Sequence, residues 1–314
     1  MTPEIVTLRD AITGSSAEIL VSQGFNCFRF TAIAGGQPVE VIYAPPDFSR
    51  GQSRPSSGGI PILFPFPGRI PGTILRWEGK EYQLEAGDAF GNAIHGFVHA
   101  RPWRVVEQSE SRVVGEFHAW RDDPSLQARW PADFRITATY ALAASELRME
   151  YLLENPGEAP LPCGLGVHPY FRLPLGGSSR DACIVKLPVS SRWELKDMLP
   201  TGRRLELEDA AAYQEGRTFG ELKLDDVFSG LVPDSSGELA ASITDPGGCR
   251  LTIRFGQPFR ECVAYTPPHR EAICIEPYTC VPGAFELEAR GIDAGLQILP
   301  PGAALSAAMN LNVS

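Results

Sequence analysis

The chain has no run of about 18 consecutive apolar residues, so no membrane-spanning helix is expected. Its start, MTPEIVTLRD, has neither a basic n-region nor an apolar h-region, so no secretory signal is expected. Positive charge is scarce: 28 Lys and Arg stand against 38 Asp and Glu, for a net charge of −10. An acidic chain without a basic run is a poor partner for nucleic acid or an anionic membrane. The seven cysteines form no CxxC pair, and a structural zinc site needs ligand pairs of that kind. Scattered thiols in odd number are expected as small buried side chains in a reducing, cytoplasmic compartment. GxSxG and GxxxxGK[ST] are absent, as is a GxGxxG opening a helix, which excludes a hydrolase elbow and the common nucleotide loops. His95 and His99 have the i, i+4 spacing of a helical metal pair. HGFVH has no Glu after the first His, however, and places Gly where a helix needs a better former, so no metal and no cofactor is expected.

Glycine and proline are abundant instead. With 31 Gly and 28 Pro, turn residues far exceed the usual share of about 12%. The segments between them are rich in Val, Ile, Thr, Tyr and Phe, and several alternate with period two. Strands are expected over 18–33, 39–43, 112–120, 134–142, 146–153, 251–255 and 273–276, and in RITATYAL the residues Ile136, Ala138, Tyr140 and Leu142 share one face. LELEDAAAYQEG, residues 205–216, is expected as two or three helical turns stopped by Gly216. These patterns predict an all-β fold, a large antiparallel β-sandwich with short helical inserts, formed by residues 1–314 as one domain. SRGQSRPSSGG, residues 49–59, is expected as a mobile surface loop.

One alternation recurs three times. Gly91, Ala93 and His95 in GNAIHG, Gly164, Gly166 and His168 in CGLGVHPY, and Ala272, Cys274 and Glu276 in EAICIEPY each fall on one face of an extended chain. Two small residues lead to an ionisable one, while Leu165 and Val167, then Ile273 and Ile275, supply an apolar opposite face. The pattern predicts a hollow floored by Gly, Ala and Cys, with His or Glu at its end. His168 and Glu276 both precede proline, which removes a ladder donor and is expected to loosen pairing there. Tyr170 and Tyr278 follow as aromatic walls with polar tips. A carboxylate after the apolar run AICI is either ion-paired or placed for chemistry, because burying it alone is expensive. His plus carboxylate, without a cofactor, points to acid–base catalysis. A concave polar site on a β-sandwich suits a sugar, with Arg69 and Asp225 as hydroxyl ligands.

The motifs GRIPGTI around Arg69, HGF…W from His95 to Trp103, GVHPYF around His168, LPTG at 199–202, LDDVF around Asp225 and IEPYTCVPGAF around Glu276 occur in one order. In this the sequence resembles the aldose 1-epimerase (galactose mutarotase) family. The resemblance implies a large antiparallel β-sandwich that interconverts the α and β anomers of a free sugar, with Glu276 as base on the anomeric hydroxyl and His168 as acid on the ring oxygen. It also implies that His95 hydrogen-bonds the sugar, while Arg69 and Asp225 anchor hydroxyls. Gly68 stands where the family has Asn, and Asp226 where it has His. The short HGFVHARPW is similar to the hexose-6-phosphate mutarotase branch, with His99 and Arg101 as partial substitutes for arginines that hold phosphate. The expected partner is a small-molecule sugar. The sequence leaves open whether that sugar is phosphorylated, whether the sandwich only binds it in a regulatory role, and how many chains assemble.

Overall fold

A computed structural model describes residues 3–177 and 179–314. It is built mainly of strands, and the three α-helices among the described residues, Ala119–Asp122, Ala210–Glu215 and Ala284–Ala289, are four or six residues long. None is long and apolar enough to cross a membrane.

Two large sheets with antiparallel pairing dominate. The first runs, edge to edge, Arg104–Gln108, Arg112–His118, Arg135–Ala143, Glu146–Glu154, Ala304–Val313, Arg250–Phe255, Leu239–Thr244, Ile184–Lys186 and Arg217–Thr218. The second runs Leu199–Glu206, Ser191–Lys196, Asp225–Ser229, Glu261–Tyr265, Ala272–Tyr278, Gly166–Val167 and Ile62–Leu63, with Tyr170–Arg172 also paired to Ala272–Tyr278. Ile5–Arg9, Ser16–Leu20, Asn26–Ala34 and Gln37–Glu40 form a separate four-stranded meander.

One continuous apolar core joins the two large sheets. Ile136, Ala138, Tyr140 and Leu142, the face expected from RITATYAL, pack in the same cluster as Val167, Phe228, Cys262, Ala264, Ile273 and Ile275 of the second sheet. The seven cysteines are free thiols, six of them buried and Cys249 partly so.

Three local expectations are corrected. The strand expected over 18–33 is two strands, broken by a turn in which Gly24 and Phe25 both take positive φ. The helix expected over 205–216 is confined to Ala210–Glu215, because Leu205 and Glu206 pair with Arg192 and Ser191 in a hairpin; tertiary pairing overrides local helical preference. Gly216 does end that helix, its N–H reaching the Ala212 carbonyl. Strand Ala272–Tyr278 runs straight through Pro277, which stands opposite Cys262. The missing donor does not loosen the ladder, since the next carbonyl, of Tyr278, accepts from Arg260 N–H at 2.9 Å. At Pro169 pairing does break, and the chain re-enters the sheet as Tyr170–Arg172.

Candidate active site

Strand register on the second sheet builds the site. In each central strand one alternate set faces the core, Ile273 and Ile275, Cys262 and Ala264, Phe228, Val167, and the other set faces away. Val263 lies opposite Glu276 and Val227 opposite Val263, forming one cross-strand row. Asp225 opposite Tyr265, Tyr265 opposite Cys274 and Cys274 opposite Tyr170 form the next. Apart from the buried Cys274, these residues line a cleft of about 310 Å³, closed by Arg54, Ser56, Asp88, Phe90 and His95 from loops, by Arg69 from the short strand Arg69–Ile70 and by Leu195 and Met198 from the hairpin at 191–206.

Glu276 and His168 sit together at its base, 1% and 6% exposed. His168 Nε2 lies 3.4 Å from Glu276 Oε1. Tyr278 Oη donates to Glu276 Oε2 at 2.8 Å, so the carboxylate has one fixed donor and one oxygen turned to the histidine. The Tyr170 ring stacks flat on His168, centroids 4.8 Å apart and planes 3° apart, and is pinned by its own hydroxyl, which donates to the Ser56 carbonyl at 2.8 Å. The His95 ring stands edge-on to His168 at 5.5 Å, and its Nδ1 is buried without a protein partner among the described residues.

Burial dominates the electrostatics. It pushes the Glu276 carboxyl well above its ordinary 4.5, with Asp225 adding to the rise and Tyr278 and Arg69 opposing it. It also lowers His168 from 6.5 to about 3 and carries His95 well below 6.5, the latter with further repulsion from His168 and His99. The Asp225 carboxyl is raised by desolvation, against the pull of Arg69. Each charge at the base of the cleft is thus disfavoured alone, which makes the Glu276–His168 pair a unit for holding one proton.

Arg69 is oriented by Asp88. Asp88 Oδ2 accepts from Arg69 Nε at 2.8 Å and from Asn92 Nδ2 at 3.1 Å, while Oδ1 accepts the backbone N–H groups of Phe90 at 2.9 Å and Asn92 at 2.8 Å. Burial would raise the Asp88 carboxyl, but the hydrogen bonds from Asn92, Arg69 and Phe90 outweigh it and hold it low. One carboxylate therefore fixes both a cation in the cleft and the turn that carries Phe90. Asp88→Asn weakens the charged contact to Arg69, a class of hydrogen bond worth about 1.5–3 kcal/mol. In steady-state kinetics on any sugar found to be turned over, the expected result is a KM raised about tenfold, with kcat within about threefold.

The structure brings Glu276, His168, His95, Arg69 and Asp225 into this cleft. It places His99 elsewhere, as a correction. His99 lines a second hollow of about 270 Å³ behind His95, with ring centroids 6.1 Å apart, and burial lowers it to about 4. Arg101 is engaged there too, Nε on Asp123 at 2.6 Å and Nη1 on the Phe97 carbonyl at 2.9 Å. The 3₁₀ turn Val98–Ala100 carries His99 into that hollow, where its ring still stands edge-on to His95.

The expected floor of small residues is also corrected. A Cβ on Gly166 would meet Pro67 Cβ at 2.6 Å and the Tyr278 ring at 2.7 Å, and one on Gly164 would strike Cys280 Sγ. These glycines make room for Tyr278 and Cys280, not for a ligand. In GNAIHG, Gly91 is an exposed turn and Ala93 is core; His95 reaches the cleft because its own φ is +68°, a kink. Gly96 follows at φ +67°, where a Cβ would overlap the Phe64 carbonyl. The stretch 49–59 is not wholly surface. Ser56, Gly58 and Gly59 are buried, and Asn26 Nδ2 donates to the carbonyls of Pro55 and Gly58.

Sequence reasoning missed Val227, Val263 and Tyr265, although the alternation in LDDVF and ECVAY would have found them. It also missed Arg54, Asp88 and Phe90, which lie on loops with no periodic signal.

The family model described as aldose 1-epimerase matches residues 34–312. Among curated proteins, the uncharacterized protein YihR of Escherichia coli (strain K12) is 26% identical over 237 residues, covering 74% of this chain and 72% of the relative. A galactose mutarotase-like protein from Clostridium acetobutylicum superposes with TM-score 0.86 at 22% identity, over 100% of this chain and 99% of its own. A galactose 1-epimerase from Lactobacillus acidophilus NCFM does so with TM-score 0.73 at 17% identity, over 100% and 99%. At these identities the two structures establish a shared fold.

Proposed function

Because this chain belongs to the aldose 1-epimerase family, we propose that it is an isomerase, a mutarotase that interconverts the α and β anomers of a hexose. The observation that carries this reading is the buried Glu276–His168 pair, 3.4 Å apart at the base of a cleft ringed with hydroxyl ligands.

The one-proton pair reacts from its carboxylate–imidazolium tautomer, in which Glu276 accepts the proton of the anomeric O1–H as the C1–O5 bond breaks. His168 delivers its proton to O5. The products are the open-chain aldehyde, a neutral Glu276 carboxyl and a neutral His168. Rotation about C1–C2 presents the other face of the aldehyde. Closure then returns the O5 proton to His168 and gives the Glu276 proton to O1. The pair holds one proton before and after, so no net charge enters a site where burial penalises charge. Tyr278 steadies the carboxylate, and the flat stack of Tyr170 favours the imidazolium. His95, Arg69 and Asp225 bind the sugar hydroxyls. Among the described residues the Arg69 side chain makes one hydrogen bond, through Nε, which leaves its Nη groups for a sugar hydroxyl.

The direct test is two-dimensional exchange NMR or polarimetry of freshly dissolved sugars, free and 6-phosphorylated, against the uncatalysed rate. Catalysed exchange on at least one sugar is expected, and none across the panel leaves a binding sandwich as the better reading.

The pH profile follows from the same pair. The first proton taken up goes to the raised Glu276, and the second goes to His168 only near its lowered value of about 3. The one-proton form therefore persists through mild acid and is lost on the alkaline side, above the ordinary carboxylate range. We expect kcat to show no acid limb until the pH approaches the lowered His168 value of about 3. An acid limb centred near 6.5, the ordinary histidine value, would show that His168 is not held as described.

A further inference from the structure

Beside the pair lies a buried nucleophile that the proposed chemistry does not use. Cys274 precedes Glu276 by two residues on the same face of strand Ala272–Tyr278 and is a fully buried free thiol. Ligand atoms of His168, Cys274 and Glu276 all lie within 4.8 Å of one another. We propose that this trio is a binding site for a thiophilic divalent cation such as Zn²⁺ or Cd²⁺, and that the bound ion shuts the sugar site.

The ligand set selects the ion class. One imidazole, one thiolate and one carboxylate suit zinc and its softer neighbours, whereas magnesium and calcium demand oxygen shells that are not assembled here. The geometry is partly made. His168 Nε2 and Glu276 Oε1 are 3.4 Å apart, long for a charge-assisted hydrogen bond but close to the N···O edge of about 3.4 Å that tetrahedral zinc bond lengths imply. Cys274 Sγ would have to close by about 1 Å at most to complete the face. Tyr278 already holds the distal carboxylate oxygen at 2.8 Å, as an outer-shell partner would.

The same geometry argues for a reversible ligand. His168 Nδ1 is buried without a partner among the described residues, so the outer-shell hydrogen bond that a resident metal site gives its histidine is missing. Only three protein ligands converge, two of which, His168 and Glu276, line the cleft. Binding releases two protons to solvent, the thiol proton as the S–H bond gives way to a metal–sulfur bond and the one proton that the Glu276–His168 pair holds, so affinity rises with pH. An ion held there takes the lone pair of His168 and the charge of Glu276, and neither can then move a proton.

That last consequence rests on the proposed mutarotase reading, but binding does not, and the two are tested separately. Titration of the whole protein with Co²⁺ is expected to give a thiolate-to-metal absorption band in the near ultraviolet at one ion per chain, displaced by Zn²⁺ and absent in Cys274→Ala. Zn²⁺ is also expected to raise the Tm of the wild type in a concentration-dependent way. In the exchange assay Zn²⁺ inhibits in competition with sugar, EDTA restores the rate, and Mg²⁺ has no effect. Cys274→Ala keeps its basal rate and raises the Zn²⁺ inhibition constant at least about tenfold. Absence of the thiolate band at saturating Co²⁺, a measurement on the wild type alone, overturns the site even if the variant fails to fold. Equal inhibition of Cys274→Ala and the wild type also overturns it. A thiolate band without any anomer exchange upholds the site and sinks the mutarotase reading instead.

Discussion

Glu276→Gln lowers kcat for anomer exchange by about 10²–10⁴-fold, the usual loss when a general base is removed, and leaves the fold intact. The amide keeps the shape of the carboxylate. Its carbonyl still accepts from Tyr278 Oη, and its NH₂ faces His168 Nε2, so both present contacts of the side chain are met. Stability does not suffer, because the variant removes the desolvation that pushes this carboxyl upward. The Tm is expected to equal or exceed that of the wild type. What is lost is the ability to take the O1 proton. KM changes by less than about threefold, since Arg69, Asp225 and His95 still hold the hydroxyls. Exchange NMR that finds more than a tenth of the wild-type rate would remove Glu276 from the role of base.

Glu276 was legible because it lies in a strand where period two separates core from cleft. AICIE places Glu276 opposite in sense to Ile273 and Ile275, and the sheet reproduces that alternation. The same rule applied to LDDVF and ECVAY yields Val227, Val263 and Tyr265. Alternation says which face a side chain takes, but not what already occupies that face. Gly164 and Gly166 share a face with His168, yet the space above them belongs to Cys280 and Tyr278, which come from a strand more than a hundred residues away. Loop residues escape periodicity altogether. His95 depends on a left-handed backbone, and Asp88 acts through four hydrogen bonds, all within one short turn except that to Arg69. His99, four residues along the same motif, was assigned to the sugar by resemblance to the phosphate-holding branch and lies on a 3₁₀ bend that lines the second hollow. The helix at 205–216 shrank for the converse reason, since residues that favour helix locally were claimed by a hairpin.

His168→Asn tests whether the pair works as one unit. Asparagine retains a polar group near Glu276 but cannot carry a proton to the ring oxygen, and it forfeits the stack on Tyr170. On the proposed mechanism kcat falls by about 10²–10⁴-fold, as for loss of a general acid. The informative variant is the double one. Each proton transfer is half of a single ring-opening event, in which the charge left on one partner is cancelled by the move at the other. Once Glu276→Gln has removed the acceptor for the O1 proton, an imidazolium at position 168 has no developing alkoxide to protonate in concert, and its loss costs little more. The double variant is therefore expected within about tenfold of the slower single variant, far above the product of the two separate losses. Polarimetry at a fixed sugar concentration, corrected for the uncatalysed rate, measures all four proteins on one scale. Losses that multiply would mean that the two groups act in separate steps and not as one unit across the 3.4 Å between Nε2 and Oε1.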